Sequence, residues 1–300
     1  KAVAGQPDRR REGHGRRFRP VPLQRLQPAG HVAGDQRGAR SGGFFLRGEA
    51  LSRGRCRGIA AEVQDPGFAV GQVQQQQAGA ADATVLLTHY HWDHIQGFPF
   101  FGPFYVHGNR FTVYGCSRGG RLLEDVLERQ MAAQFFPVQS FRNMGADIEM
   151  RALMEGEDVS VGEATIRAHA NPHGPTTVLA FRIEVDGKSL AYASDAGYGP
   201  EGPSPAALDL YRGVDLLIHD SSFTPEDRAL RLERGLSSLQ EAVDCATRAQ
   251  VKRLALFHYD QDYSDHDVDQ LVARGQGLLQ RQASPAIAVI GAAEGLTLKL

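Results

Sequence analysis

Cysteine is scarce in this chain: three residues in 300 (Cys56, Cys116, Cys245), at no spacing that builds a disulfide framework or a thiolate metal site. That scarcity argues against a small secreted scaffold and leads us to expect reduced thiols in a cytoplasmic protein. Long apolar runs are missing too; none approaches the roughly 20 residues that a membrane-spanning helix requires. The amino-terminal region is rich in arginine but has no apolar stretch behind it, so a secretory signal is not expected. No sequence repeat is present. What remains is a chain that is 42% hydrophobic, long enough to bury the core of one large domain or two modest ones.

Chemistry concentrates in six residues, His89-Tyr90-His91-Trp92-Asp93-His94. They follow the β-like run Ala83-Thr84-Val85-Leu86-Leu87-Thr88 and lead into Ile95-Gln96-Gly97-Phe98. Neutral imidazole and carboxylate are favoured ligands of zinc and its neighbours in the first transition row. In an extended segment residues two apart project to the same side, so His89 and His91 can grip one ion. Asp93 and His94 lie one turn further on, displaced toward a second. The competing reading is a surface turn that happens to be rich in histidine; four ligand-type side chains directly after a buried strand weigh against it.

The pattern H-x-H-x-D-H of His89, His91, Asp93 and His94 resembles the signature of the metallo-β-lactamase superfamily. Further pieces follow in order: Asn171-Pro172-His173-Gly174, then Leu190-Ala191-Tyr192-Ala193-Ser194-Asp195-Ala196-Gly197. Asp215-Leu216-Leu217-Ile218-His219-Asp220 and Arg253-Leu254-Ala255-Leu256-Phe257-His258 complete the set. Together they look like the phosphodiesterase-type branch of that superfamily, which contains tRNA 3′-processing endonucleases and small cyclic-phosphodiester hydrolases. The resemblance covers about residues 82–300. It implies an α/β fold, a four-layer αβ/βα sandwich, and two divalent metal ions, zinc first with manganese or iron as alternatives. On this resemblance His89, His91 and His173 hold the first ion, Asp93, His94 and His258 the second, and Asp195 bridges both. Asp195 and His258 each follow an apolar run, as ligands held at strand ends would. His169 competes with His173, which is preferred because Pro172, Gly174 and Pro175 give it a fixed turn.

Such a metal pair acidifies a water and polarises the phosphoryl oxygen under attack, with Asp93 placed to orient the nucleophile. Departure of the alkoxide also needs a proton donor. Relatives carry Gly-His-Ser-Ser or Gly-His-Ser-Thr at a helix start, and that histidine is the natural acid; this chain has Gly235-Leu236-Ser237-Ser238. Leucine cannot shuttle a proton, so impaired turnover is expected. His219 is the candidate substitute, against the competing reading of a hydrogen-bonded core histidine beside Leu216-Leu217-Ile218.

The substrate expected is a small phosphodiester, of cyclic nucleotide or cyclic phosphate type, with RNA the less favoured partner and no membrane. Residues 81–300 carry 19 basic and 29 acidic side chains, whereas a polyanion binder needs a basic surface. Trp92, Phe98, Phe100, Phe101, Phe104 and Tyr105 would either stack on a base or simply pack the core. A thioester or lactone hydrolase using the same ions stays open. So do a non-catalytic metal-binding sensor and a homo-oligomer.

Periodicity places the remaining elements. Strands are expected at residues 85–87, 111–115, 148–153, 164–168 and 251–257, with a turn over 159–162. Residues 181–185 and 189–193 form a hairpin about Asp186-Gly187. Helices are expected at 121–135, 237–249 and 265–280, and closing strands at 286–290 and 296–300. Gly97 to Phe104 is an aromatic, proline-broken loop.

Residues 1–81 stand apart from the domain expected over 82–300. Residues 1–80 carry 14 basic and 6 acidic side chains, thirteen of the cations arginine, amid Gly, Gln and Ala with no period of 2 or 3.6. Relatives of this branch begin with a strand and glycine-rich turn, then a strand ending in aspartate and glycines, and neither is legible here. We therefore expect a sandwich lacking the usual N-terminal strands. GC-rich DNA translated out of frame yields this composition, with in-frame sequence starting near Gly79 to Ala83; a disordered leader and a basic arm for nucleic acid are the other readings. Translating the encoding DNA in its two other frames is the check. The frame reading expects the two missing strands there, and their absence would overturn it.

Overall fold

The computed structural model describes residues 81–116, 123–138, 140–230, 232–282, 286–293 and 296–300, and the backbone of 44–47 and 57–61. The chain divides into units Lys1–Gln36 and Arg37–Leu300, and all the described residues belong to the second. Most of the arginine-rich segment, with Cys56, lies outside them.

Two sheets carry the fold. The first runs β1 (Phe44–Arg47), β2 (Arg57–Ala61), β3 (Asp82–Leu86), β4 (Arg110–Gly115) and β5 (Asp147–Ala152) in spatial order. Its β2 to β5 are parallel and only β1 is antiparallel. The second has the order β12-β11-β10-β9-β8-β7-β6. Its members are β6 (Asp158–Val161), β7 (Ala164–His173), β8 (Thr176–Val185), β9 (Lys188–Ala193), β10 (Leu216–Asp220), β11 (Arg253–Phe257) and β12 (Ala288–Gly291). Here β9 to β12 are parallel, so the carboxyl ends of β9, β10 and β11 meet along one edge.

Side-chain alternation along each strand sorts residues into three apolar layers. Leu190, Tyr192, Leu216, Ile218, Ala255 and Phe257 face Leu86 and Tyr114 between the sheets. Their sequence neighbours Ala191, Ala193, Leu217, Leu254 and Leu256 turn outward. They meet α3 (Pro205–Tyr211), α5 (Leu239–Ala249) and α6 (Asp265–Arg281). On the far side Val85, Leu87 and Val113 pack against Ile95 of α1 (Trp92–Ile95) and Leu123 and Leu127 of α2 (Leu123–Arg129). Helix, sheet, sheet, helix: the four-layer sandwich is present. The remaining helix is α4 (Pro225–Leu230).

Several expectations change. β1 and β2 supply early strands that the sequence did not suggest; backbone pairing to β3, from Arg57↔Asp82 to Ala61↔Leu86, makes β2 a strand without a side-chain pattern. Residues 158–161 form β6 rather than a turn, because Asp158–Val161 pairs antiparallel with residues 164–167 as an exposed edge. Residues 296–300 are not a strand among the described residues. Helix α2 stops at Arg129, where Met131 N–H bonds Glu128 O in a tighter turn; Met131 and Phe141 still reach the core. The aromatic loop becomes two 3₁₀ turns, Phe98–Phe100 and Gly102–Tyr105. Phe98, Phe101 and Phe104 are core residues, whereas Trp92 and Phe100 are each 61% exposed.

The hairpin turn matches its chemistry: Asp186 (φ 51°) and Gly187 (φ 71°) both take the left-handed conformation that an Asp-Gly pair favours. Helix α5 opens with a capping box, in which Ser238 accepts from Glu241 N–H and Glu241 accepts from Ser238 N–H. Replacing Ser238 by alanine should cost about 1 kcal/mol. In urea titration the midpoint should fall with the slope unchanged; an unaltered midpoint would show that the cap contributes nothing.

Candidate metal centre

Each ligand candidate stands where a strand or its extension ends. His89 and His91 follow β3, and Asp93 and His94 occupy the single turn of α1, whose N-cap is His91. His173 is the last residue of β7; Asp195 and His258 follow β9 and β11. The two sheets are joined at this edge, where Leu179 N–H of β8 donates to the Thr88 carbonyl at 2.9 Å.

Two groups of ligand atoms lie within 4.8 Å of one another: His89, His91 and His173, and His89, His94 and Asp195. His258 and Asp93 adjoin the second. His258 Nε2 is 3.2 Å and His94 Nε2 3.6 Å from Asp195 Oδ1, and Asp93 Oδ2 is 3.4 Å from His94 Nε2. His94 and His258 stack with ring centroids 5.6 Å apart. The structure thus brings all seven expected residues together. His169 is elsewhere engaged, with Glu155 at 2.6 Å and Ser204 at 3.3 Å.

The donor set fits metal binding on its hydrogen bonds. His173 Nδ1 lies 2.9 Å from the Gly235 carbonyl, which only accepts, so Nδ1 carries a proton and Nε2 is the ring nitrogen left to face a cation. That Nε2 is 3.1 Å from His91 Nδ1, a separation that calls for a proton or a cation between them. Ser222 Oγ donates to the His258 carbonyl at 2.6 Å and meets His258 Nδ1 at 3.0 Å, which again turns Nε2 toward Asp195. His89 Nδ1 is 3.0 Å from Thr88 Oγ1. Partners on the far ring nitrogen are the usual support of metal-ligating histidines.

Two of the four non-glycine residues with positive φ among the described residues stand here. Asp195 (φ 57°) and His258 (φ 54°) are non-glycine residues in the left-handed region, which costs on the order of 1–3 kcal/mol each. Neighbours hold them there. Ser194 Oγ donates to Asp195 Oδ2, and the Asp220 carboxylate accepts Ala196 N–H at 3.2 Å and Ser237 N–H at 2.7 Å. Behind His173 three backbones converge: a Cβ on Gly235 would lie 2.0 Å from Gly174 N, and one on Gly197 would lie 2.1 Å from Gly235 O.

Electrostatics follow from this packing. The neighbouring His94 hydrogen bond holds the Asp93 carboxyl down at about 2, so it is ionised at neutral pH. Burial pushes the Asp195 carboxyl up, but His258, His94 and His89 outweigh it and hold it below the usual carboxylate range. Burial drives His219 down to about 4 and Asp220 well above its ordinary value. His219 is in neither ligand group among the described residues. Its ring is fully buried, with Nε2 3.0 Å from Tyr198 Oη and Nδ1 2.8 Å from the Asp220 carbonyl.

Sequence reasoning missed Asp220, Ser194 and Ser222. Their only trace was Asp220 and Ser222 shortly after the apolar run Leu216-Leu217-Ile218, and Ser194 directly after Leu190-Ala191-Tyr192-Ala193. Leu236 is half-buried between Gly235, which holds His173, and Ser237, which holds Asp220.

Comparison with known proteins adds the lineage. Residues 63–259 match the Beta-lactamase superfamily domain. Ribonuclease BN of Cronobacter sakazakii is 23% identical over 267 residues, 70% of this chain and 84% of that protein. A ribonuclease Z of Brevibacillus brevis is 35% identical over 83 residues, 28% of this chain but only 24% of its own length. Among solved structures, the metallo-β-lactamase fold protein YhfI of Bacillus subtilis superposes with a TM-score of 0.62 at 19% identity, covering 86% of this chain and 92% of that one; this likeness is one of fold. With the domain match spanning most of its residues, the chain belongs to the β-lactamase superfamily.

Proposed function

We propose that this protein is a metal-dependent hydrolase of phosphodiesters, built for two divalent cations and best suited to small substrates. The observation that supports it is the convergence of His89, His91, His173, Asp93, His94, His258 and Asp195, with far ring nitrogens tied back to Thr88, Gly235 and Ser222. In this reading the first three hold one cation, Asp93, His94 and His258 the other, and Asp195 both. When bound, the cations, zinc by its preference for imidazole and carboxylate, supply an acidified water and Lewis-acid polarisation of the phosphoryl group.

The chain's own residues do the rest. Asp93, ionised and at the exposed mouth, orients the attacking water. Asp195, fixed by Ser194, keeps the two ligand groups in register. In this reading Leu236 stands where the proton donor would be, and His219 does not replace it, because both ring nitrogens are engaged and none of its surface is exposed. Esters of poor leaving groups should therefore turn over slowly.

Small substrates are favoured by the acid excess of residues 81–300, which disfavours a polyanion. RNA is the second reading, because curated relatives are named ribonucleases BN and Z. Trp92, 61% exposed between His91 and Asp93, is an aromatic available to a base.

Kinetics of wild type and Leu236→His on bis(4-nitrophenyl) phosphate, a cyclic nucleotide, a 3′-extended RNA and an acyl thioester test this proposal. The variant should gain about 10²–10⁴-fold on the cyclic nucleotide and far less on the nitrophenyl ester. No gain would refute the missing acid. Cleavage of the RNA alone would move the substrate to RNA, and cleavage of the thioester alone would overturn the phosphodiester assignment.

A further inference from the structure

We propose that a buried hydrogen-bond chain, Asn171–Tyr211–Tyr198–His219–Asp220, is a positioning network that sets the separation of the ligand-bearing segments of His173 and Asp195. It rests on the two-cation reading above and explains what His219 does in place of catalysis.

The links are continuous. Asn171 Nδ2 donates to Tyr211 Oη at 2.6 Å, and the Tyr211 and Tyr198 hydroxyls are 3.3 Å apart. Tyr198 Oη is 3.0 Å from His219 Nε2, and His219 Nδ1 is 2.8 Å from the Asp220 carbonyl. Tyr211, His219 and Asp220 have no exposed surface, Asn171 has 1% and Tyr198 3%. An amide N–H only donates and a carbonyl only accepts, which fixes the two ends: Asn171 Nδ2 donates to Tyr211 and His219 Nδ1–H to Asp220. Between them the Tyr198 hydroxyl donates to Tyr211 and lies within hydrogen-bond reach of His219 Nε2. Loss of any link would leave a buried polar group with fewer partners.

Its stations stand beside the ligands. Asn171 precedes His173 by two residues on β7, and Tyr198 follows Asp195 by three. Asp220 ends β10, and its carboxylate fixes Ala196, next to Asp195, and Ser237, next to Leu236. Strands β7 and β9 are not neighbours, since β8 lies between them. No ladder sets the distance between their ends. Across that gap run the Gly197 N–H to Pro172 carbonyl bond, at 2.8 Å, the Gly235–Ser237 segment, which meets His173 on one side and Ala196 on the other, and this side-chain network.

Tyr198→Phe removes one oxygen and takes from both Tyr211 Oη and His219 Nε2 the hydroxyl that faces them. The test loads full-length, metal-free wild type and variant with cobalt(II) alone and follows the visible d–d bands. The variant should bind cobalt about 10–100-fold more weakly and show an altered spectrum at saturation. Its kcat on bis(4-nitrophenyl) phosphate should fall with KM unchanged. A residue that only fills the core would lower the stability of the metal-free protein but leave cobalt affinity and spectrum at wild-type values, and that result overturns the proposal.

Two further variants guard against misfolding. Tyr211→Phe, which withdraws the oxygen that both Asn171 and Tyr198 reach, should shift the spectrum in the same direction. In Tyr198→Phe/His219→Leu no ring nitrogen is stranded: recovered stability with cobalt affinity still weak supports positioning, whereas recovered affinity overturns it. Wild type that takes up no cobalt would sink the two-cation reading itself, and this proposal with it.

Discussion

Asp195 is the constraint on which the arrangement turns. A carboxylate with 2% exposure must be paired, and its partners come from opposite halves of the sandwich. His94 approaches from the turn after β3 of the first sheet, His258 from the end of β11 in the second. The requirement to neutralise one buried charge thus registers the two sheets against each other at their shared edge. Strained backbone at Asp195 and His258 is tolerated because the three apolar layers beneath over-determine the positions of their strands.

The edge works because parallel strands end in step. Ala193 pairs with His219 and Asp220 with Phe257, so the residues that follow β9 and β11 emerge on either side of Asp220. Asp220 then uses its carboxylate for two backbone N–H groups from different segments, and Ser237 Oγ closes the circuit onto the Ala196 carbonyl. Position 236 sits inside that circuit. The anchors on each side of its leucine, Gly235 to His173 and Ser237 to Asp220, are both made.

Much of this was legible in the sequence. Alternation in Leu190 to Ala193 and in Leu254 to Phe257 gave the strands, because each face meets a different apolar layer. Periodicity placed helices α5 and α6, and the capping boxes of Ser238 and Ser264 start them by side-chain chemistry that acts locally. The cluster His89 to His94 stood out directly after its strand, whereas His173, Asp195 and His258 came from the family resemblance, and each stands at or just past a strand end. What escaped depended on partners distant in sequence. β6 is an edge whose existence rests on β7, β2 is made by β3, and α3 has only Ser204 and Pro205 to mark its start. Asp220 carries no spacing signal at all; its role exists only once residues 196 and 237 arrive beside it.

The central claim is that seven side chains enclose a pair of cations. Diffraction from zinc-loaded crystals, recorded on both sides of the zinc absorption edge, tests it most directly. The account predicts two anomalous peaks per chain, one among His89, His91 and His173 and one among Asp93, His94 and His258, with Asp195 between them. A single peak, or peaks away from Asp195, would contradict it.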